Sequence, residues 1–78
     1  MKRMTCQQLG GPCAFTHEGE TADEIIKQQD AHLNEMVASG DTAHELARAE
    51  MKGRWKRPIS GMRWYKNTKA LFASLPEA

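Results

Sequence analysis

Long hydrophobic runs are missing from this sequence. No stretch approaches the roughly 20 apolar residues of a membrane-spanning helix. The start, Met1-Lys2-Arg3-Met4-Thr5-Cys6-Gln7-Gln8, has neither the apolar stretch nor the small-residue cleavage site of a secretory leader. No membrane association and a cytoplasmic, bacterial-type protein are therefore expected. There are only two cysteines, too few for a disulfide scaffold, and in a reducing compartment Cys6 and Cys13 are expected as thiols. A glycine-rich phosphate loop, Gly-x-Ser-x-Gly and His-Glu-x-x-His are all absent, so no enzyme is expected. Internal repeats and low-complexity segments are lacking too. An excess of one charge is also missing: 11 Lys+Arg against 10 Asp+Glu leave a net charge of +1.

What is present is ordinary for a small globular domain: 78 residues, 40% hydrophobic and 27% charged, enough for one core and no second. The near-neutral total conceals a split. Residues 1–47 carry three basic and eight acidic side chains, and residues 48–78 carry eight and two, balances of −5 and +6.

The patterning predicts an α+β fold over 1–78, an N-terminal two-stranded β-hairpin followed by three α-helices. Residues 2–8 and 13–17 alternate around the breaker Gly10-Gly11-Pro12, which reads as a hairpin over about 2–18 with Met4, Cys6, Cys13 and Phe15 on its apolar face. Thr21-Ala22-Asp23-Glu24 is a capping box that opens a helix over about 21–39. Its stripe is Ala22, Ile25, Ile26, Leu33, Met36 and Val37, interrupted by Gln29, which needs a hydrogen-bond partner if buried. Thr42-Ala43-His44-Glu45 reads as a second box, starting a helix over about 42–56 with Ala43, Ala47, Met51 and Trp55 buried. Pro58 breaks the chain before a third helix over about 60–74, with Met62, Trp64, Tyr65, Thr68, Leu71, Phe72 and Leu75 on a wide apolar face.

If the first helix packs back along the hairpin, the spacing brings Cys6, Cys13 and His32 together. From Thr21 to His32 is about 16 Å of helix, and from Glu18 back to Cys13 is about 16 Å of strand. Two thiolates and an imidazole suit Zn²⁺, or in some settings iron or copper. A closed site needs a fourth ligand, and none is evident. His17 shares the inward face of its strand but lies about 13 Å toward the helix start, and Glu35 is better placed but harder. Small core cysteines beside a boundary histidine are the plain alternative. His17-Glu18 and His44-Glu45 read most simply as surface pairs.

The run Cys6-Gln7-Gln8-Leu9-Gly10-Gly11-Pro12-Cys13-Ala14-Phe15, then Glu20-Thr21-Ala22-Asp23-Glu24 and His32, resembles domain-of-unknown-function family 1059, described as predicted small metal-binding proteins. The resemblance covers about residues 1–38. The tail, with Met51, Trp55, Pro58 and Gly61-Met62-Arg63-Trp64-Tyr65, looks like a longer-tailed subset. It implies a cytoplasmic α+β mini-domain with Cys6, Cys13 and His32 as ligands. Many relatives carry a second histidine one turn further along the first helix, where this chain has Val37.

The basic half interleaves Trp55, Arg57, Arg63 and Trp64, a mix able to bind phosphates and stack on bases. The leading expectation is a non-enzymatic metal-binding protein with a regulatory or interaction role; this nucleic-acid- or anion-binding module is one alternative, and a purely structural interaction protein with core cysteines is the other. The same aromatics are what a helical core needs, and Lys or Arg commonly solvate an outer face. Opposite charge on the two halves instead points to contact between the halves or between subunits, and a homo-oligomer, a dimer, is expected.

Overall fold

Local side-chain caps set the element boundaries. The structure, a computed structural model, describes residues 1–78. Their order is β1 (Lys2–Thr5), a 3-10 turn (Gln7–Leu9), β2 (Thr16–Gly19), α1 (Ala22–Ala38), α2 (Thr42–Lys56) and α3 (Pro58–Ser74). This is the α+β arrangement expected: an antiparallel hairpin, with Met4 opposite His17 and Thr5 opposite Thr16, followed by three helices.

The hairpin differs in its connection. Residues 6–15 form a folded loop where the sequence pattern pointed to a tight glycine turn. Thr5 and Gln8 explain this, because each caps the other: the Thr5 amide donates to Gln8 Oε1 at 2.8 Å and the Gln8 amide to Thr5 Oγ1 at 3.1 Å. This Thr-x-x-Gln reciprocity is a capping box spent on a 3-10 turn, which Gly10 closes at φ +95°. The Cys6 amide donates to Phe15 O at 2.8 Å and the Gln7 amide to Cys13 O at 3.0 Å, so the loop stays braced. Strand alternation is lost upstream of Thr16. As a result Phe15, expected inside, is exposed, while Met4 and Cys6 are fully buried.

Thr21 Oγ1 accepts the Glu24 amide at 3.2 Å, and Glu24 Oε2 accepts the Glu20 amide at 3.0 Å. The buried face of α1 is Ala22, Ile25, Ile26, Gln29, His32 and Leu33, with Met36 and Val37 half-buried. Gly40, at φ +96°, lets the chain turn out of α1. The cap of α2 is Asp41 and not Thr42: Asp41 Oδ1 accepts the His44 amide at 3.0 Å. Its buried line is also rotated. His44, Ala47 and Met51 are inside, while Ala43 and Trp55 are exposed. A line spaced by four throughout drifts about 40° per step at 3.6 residues per turn, whereas spacings of three and four hold one face.

Pro58 opens α3 in its first turn, where a missing N–H is harmless, so this proline starts a helix two residues before the expected boundary. Only Arg57 separates α2 from α3, and Gly61 sits so close to α2 that a Cβ there would lie 2.2 Å from Arg54 O. At the far end Lys2 Nζ donates to Phe72 O at 3.0 Å and Ala73 O at 3.1 Å, which sets a cation on the last carbonyls of α3.

The molecule is a slab of 33 × 28 × 15 Å, too thin for one deep core. Two small clusters form instead. Met4, Leu9, Ile25 and Ile26 are covered by Trp64, Tyr65, Phe72 and Leu75. Cys6, Leu33, Ala47 and Met51 are covered by Cys13 and Trp64. No helix is long and apolar enough to cross a membrane.

Candidate metal centre

The second cluster carries the only concentration of soft ligand atoms. Cys6 follows β1 and is buried, Cys13 comes from the loop, His32 from the inner face of α1 and His44 from the first turn of α2. One ligand atom from each lies within 4.8 Å of every other. Cys13 Sγ is 3.4 Å from His32 Nε2 and 3.4 Å from His44 Nε2, and Cys6 Sγ is 3.9 Å from His44 Nε2. In a tetrahedral zinc site with Zn–S near 2.3 Å and Zn–N near 2.05 Å, a sulfur and a nitrogen stand about 3.6 Å apart. The observed separations bracket that edge length. Both imidazoles offer Nε2, and the four side chains come from four separate segments.

Of the residues singled out from the sequence, Cys6, Cys13 and His32 do meet, with His32 level with Cys13. The fourth member, His44, was assigned to the surface with Glu45 and is in fact 2% exposed. The signal for it lay in the spacing 44, 47, 51, which places His44 on the Ala47–Met51 face, with the capping Asp41 three residues earlier. Glu35 stays exposed and Val37 half-buried, neither in the cluster. His17, also assigned to the surface, is buried, but it stands behind the cluster.

The surroundings favour ligation. Cys6 and Cys13 are free thiols. Burial pushes the Cys13 thiol up from its ordinary value, and the neighbouring Cys6 adds to this. His32 is held below its usual pKa by burial and then by the facing rings of His44 and His17, so it stays neutral with its lone pair free. The ring of Phe15 stacks on His32 at 4.6 Å and fixes its plane. Asp41 Oδ1 lies 3.0 Å from His44 Nδ1. That contact is too bent for a full hydrogen bond, which leaves Nδ1 otherwise unpartnered. It still places a carboxylate behind the imidazole, as in carboxylate–histidine–metal arrangements. The same contact, with the His44 amide, holds the Asp41 carboxyl below its usual range.

The alternative set does not assemble a stacking platform. Trp55 is exposed, but Trp64 is half-buried against both core clusters. Its face is covered by the Arg54 guanidinium at 4.5 Å and its edge is met by Trp55 at 6.1 Å. Arg57 and Arg63 are exposed on the surface nearby.

Residues 1–36 match the model of a family described as "Protein of unknown function (DUF1059)", the family that the sequence resembles. The matched segment holds the hairpin, most of α1 and three members of the cluster, and stops before His44. No curated protein and no solved structure matches the chain.

Proposed function

Starting from a chain whose first 36 residues match that family, we propose that this is a non-enzymatic metal-binding protein whose Cys6, Cys13, His32 and His44 hold one zinc-type ion. The observation that carries the reading is the convergence of two thiols and two imidazole Nε2 atoms within 4.8 Å at a largely buried point. This donor set suits Zn²⁺ in both hardness and number. Because the protein fills all four positions, none is left for a substrate, which favours a structural or regulatory role over catalysis. An ion there would join the loop, α1 and α2, and so lend a thin domain the folding free energy that its two small clusters provide sparingly.

Metal analysis of untagged protein tests this directly. About one equivalent of zinc is expected, with loss of binding in Cys6→Ala and His44→Ala. Sub-stoichiometric zinc, iron and copper, with Cys6→Ala melting like any small core truncation, would sink the proposal.

A further inference from the structure

One buried polar pair remains unexplained by the four ligands. Gln29 is completely buried in the middle of the apolar face of α1, and His17 is 3% exposed on β2. Neither belongs to the ligand cluster, and a buried amide and imidazole are costly unless every polar atom is used. They are used on each other and on Cys6: Gln29 Nε2 donates to Cys6 Sγ at 3.2 Å, and Gln29 Oε1 meets His17 Nε2 at 2.7 Å. The chemistry fixes the direction of the whole chain. The amide turns its NH₂ toward sulfur. Its oxygen then faces His17, which must carry a proton on Nε2. Gly11 completes the arrangement. A Cβ at that position would lie 2.1 Å from Cys6 Sγ and 2.9 Å from Gln29 Nε2, so the backbone leaves space for sulfur and amide alone.

We infer that Gln29, oriented by His17, is a positioning residue for the metal site: its amide donates a hydrogen bond that holds the Cys6 sulfur aimed at the other three ligands. This rests on the metal-binding reading and adds two residues to it. The two sulfurs are thereby unequal, because Cys6 is buried and hydrogen-bonded while Cys13 is half-exposed. A relay of this kind restrains the χ1 rotation of Cys6 and withdraws electron density from its sulfur.

The test uses the full chain and Co²⁺ as probe. Gln29→Met keeps the volume and removes the donor. It should bind Co²⁺ about 10–100-fold more weakly, with the sulfur-to-cobalt charge-transfer band moved to longer wavelength because the sulfur lone pairs rise in energy. Gln29→Glu, which points a carboxylate at the thiolate, should lose more. His17→Phe, which frees the amide to rotate, should shift the band in the same direction. In metal-free wild-type protein, long-range ¹H–¹⁵N correlation should find the His17 proton on Nε2, a readout independent of any ion and of how the variants fold. Wild-type affinity and band position in Gln29→Met, or His17 protonated on Nδ1 alone, overturns the relay while leaving the metal site standing. A wild-type chain with no cobalt site overturns both.

Discussion

Replacing glycine by alanine should have opposite effects at two positions eight residues apart, and the structure supplies both signs. At Gly53, inside α2, an added Cβ meets nothing within 4 Å. The helix-propensity gain of about 1 kcal/mol is then collected without opposition, which raises the melting temperature of a domain this size by about 4–8 °C. At Gly61, in α3, the same methyl would stand 2.2 Å from Arg54 O, more than 1 Å inside an ordinary carbon–oxygen contact of about 3.3 Å. The obstacle is backbone, so no side-chain rotation relieves it, and α3 must move off α2. The strain belongs near the upper end of the overpacking range, about 3 kcal/mol. Less the propensity gain of about 1 kcal/mol, Gly61→Ala should lose about 2 kcal/mol and melt about 8–16 °C lower. Thermal melts followed at 222 nm in chelator check both, since neither glycine touches the ligand cluster. A Gly61→Ala variant as stable as wild type, or a destabilised Gly53→Ala, refutes the close α2–α3 packing.

Three further outcomes are expected. Gly11→Ala, whose methyl would collide with Cys6 Sγ, should abolish stoichiometric metal binding in inductively coupled plasma measurements even where circular dichroism keeps its helical signature. Asp41→Asn retains a good helix cap but weakens the anion behind His44; metal affinity by chelator competition should fall about 10-fold or more with little change in metal-free melting. Tyr65, the only tyrosine, donates to Asp23 Oδ1, and that hydrogen bond raises its phenol above its ordinary 10.0. A raised pKa in the folded state means that this stabilisation is complete below the unfolded value and lost as pH climbs through the folded one. Absorbance at 295 nm should therefore show a titration above 10.0 that Asp23→Asn brings down; an unchanged midpoint in that variant would falsify the pairing.

Elements with strong local signals could be read from the sequence. Thr21 and Glu24 marked the start of α1, and the stripe from Ala22 to Leu33 marked its inner face. The spacing that levels His32 with Cys13 was arithmetic on helix and strand rise. Gln29 reads as a flaw in that stripe, and the structure partners it with Cys6 and His17. The misses share one physical origin, that a residue type was weighed ahead of its position. Ala43 and Trp55 look more apolar than His44, so the inner line of α2 was drawn through them although His44 fits the helical period. Gly10-Gly11-Pro12 looks like a tight turn, but Thr5 and Gln8, two residues that also fit an alternating strand, close a 3-10 turn first. The spacing within α2 places His44 inside, but pairing it with the thiols takes two elements together, because nothing local to α2 announces the sulfurs it faces.

The division of the interior into two clusters implies two separately opening units. One is closed mainly by α3 over Met4, Leu9, Ile25 and Ile26, the other by α2 over Cys6 and Leu33, and Trp64 touches both. Amide hydrogen exchange should then resolve two sub-global openings where a deeper domain of this length shows one. The hairpin and α1 supply one wall of each unit and the two C-terminal helices the other. Zinc added to the protein should slow exchange across α2 and the loop first, and reach α3 only as far as Trp64 and the Arg54–Gly61 crossing transmit it.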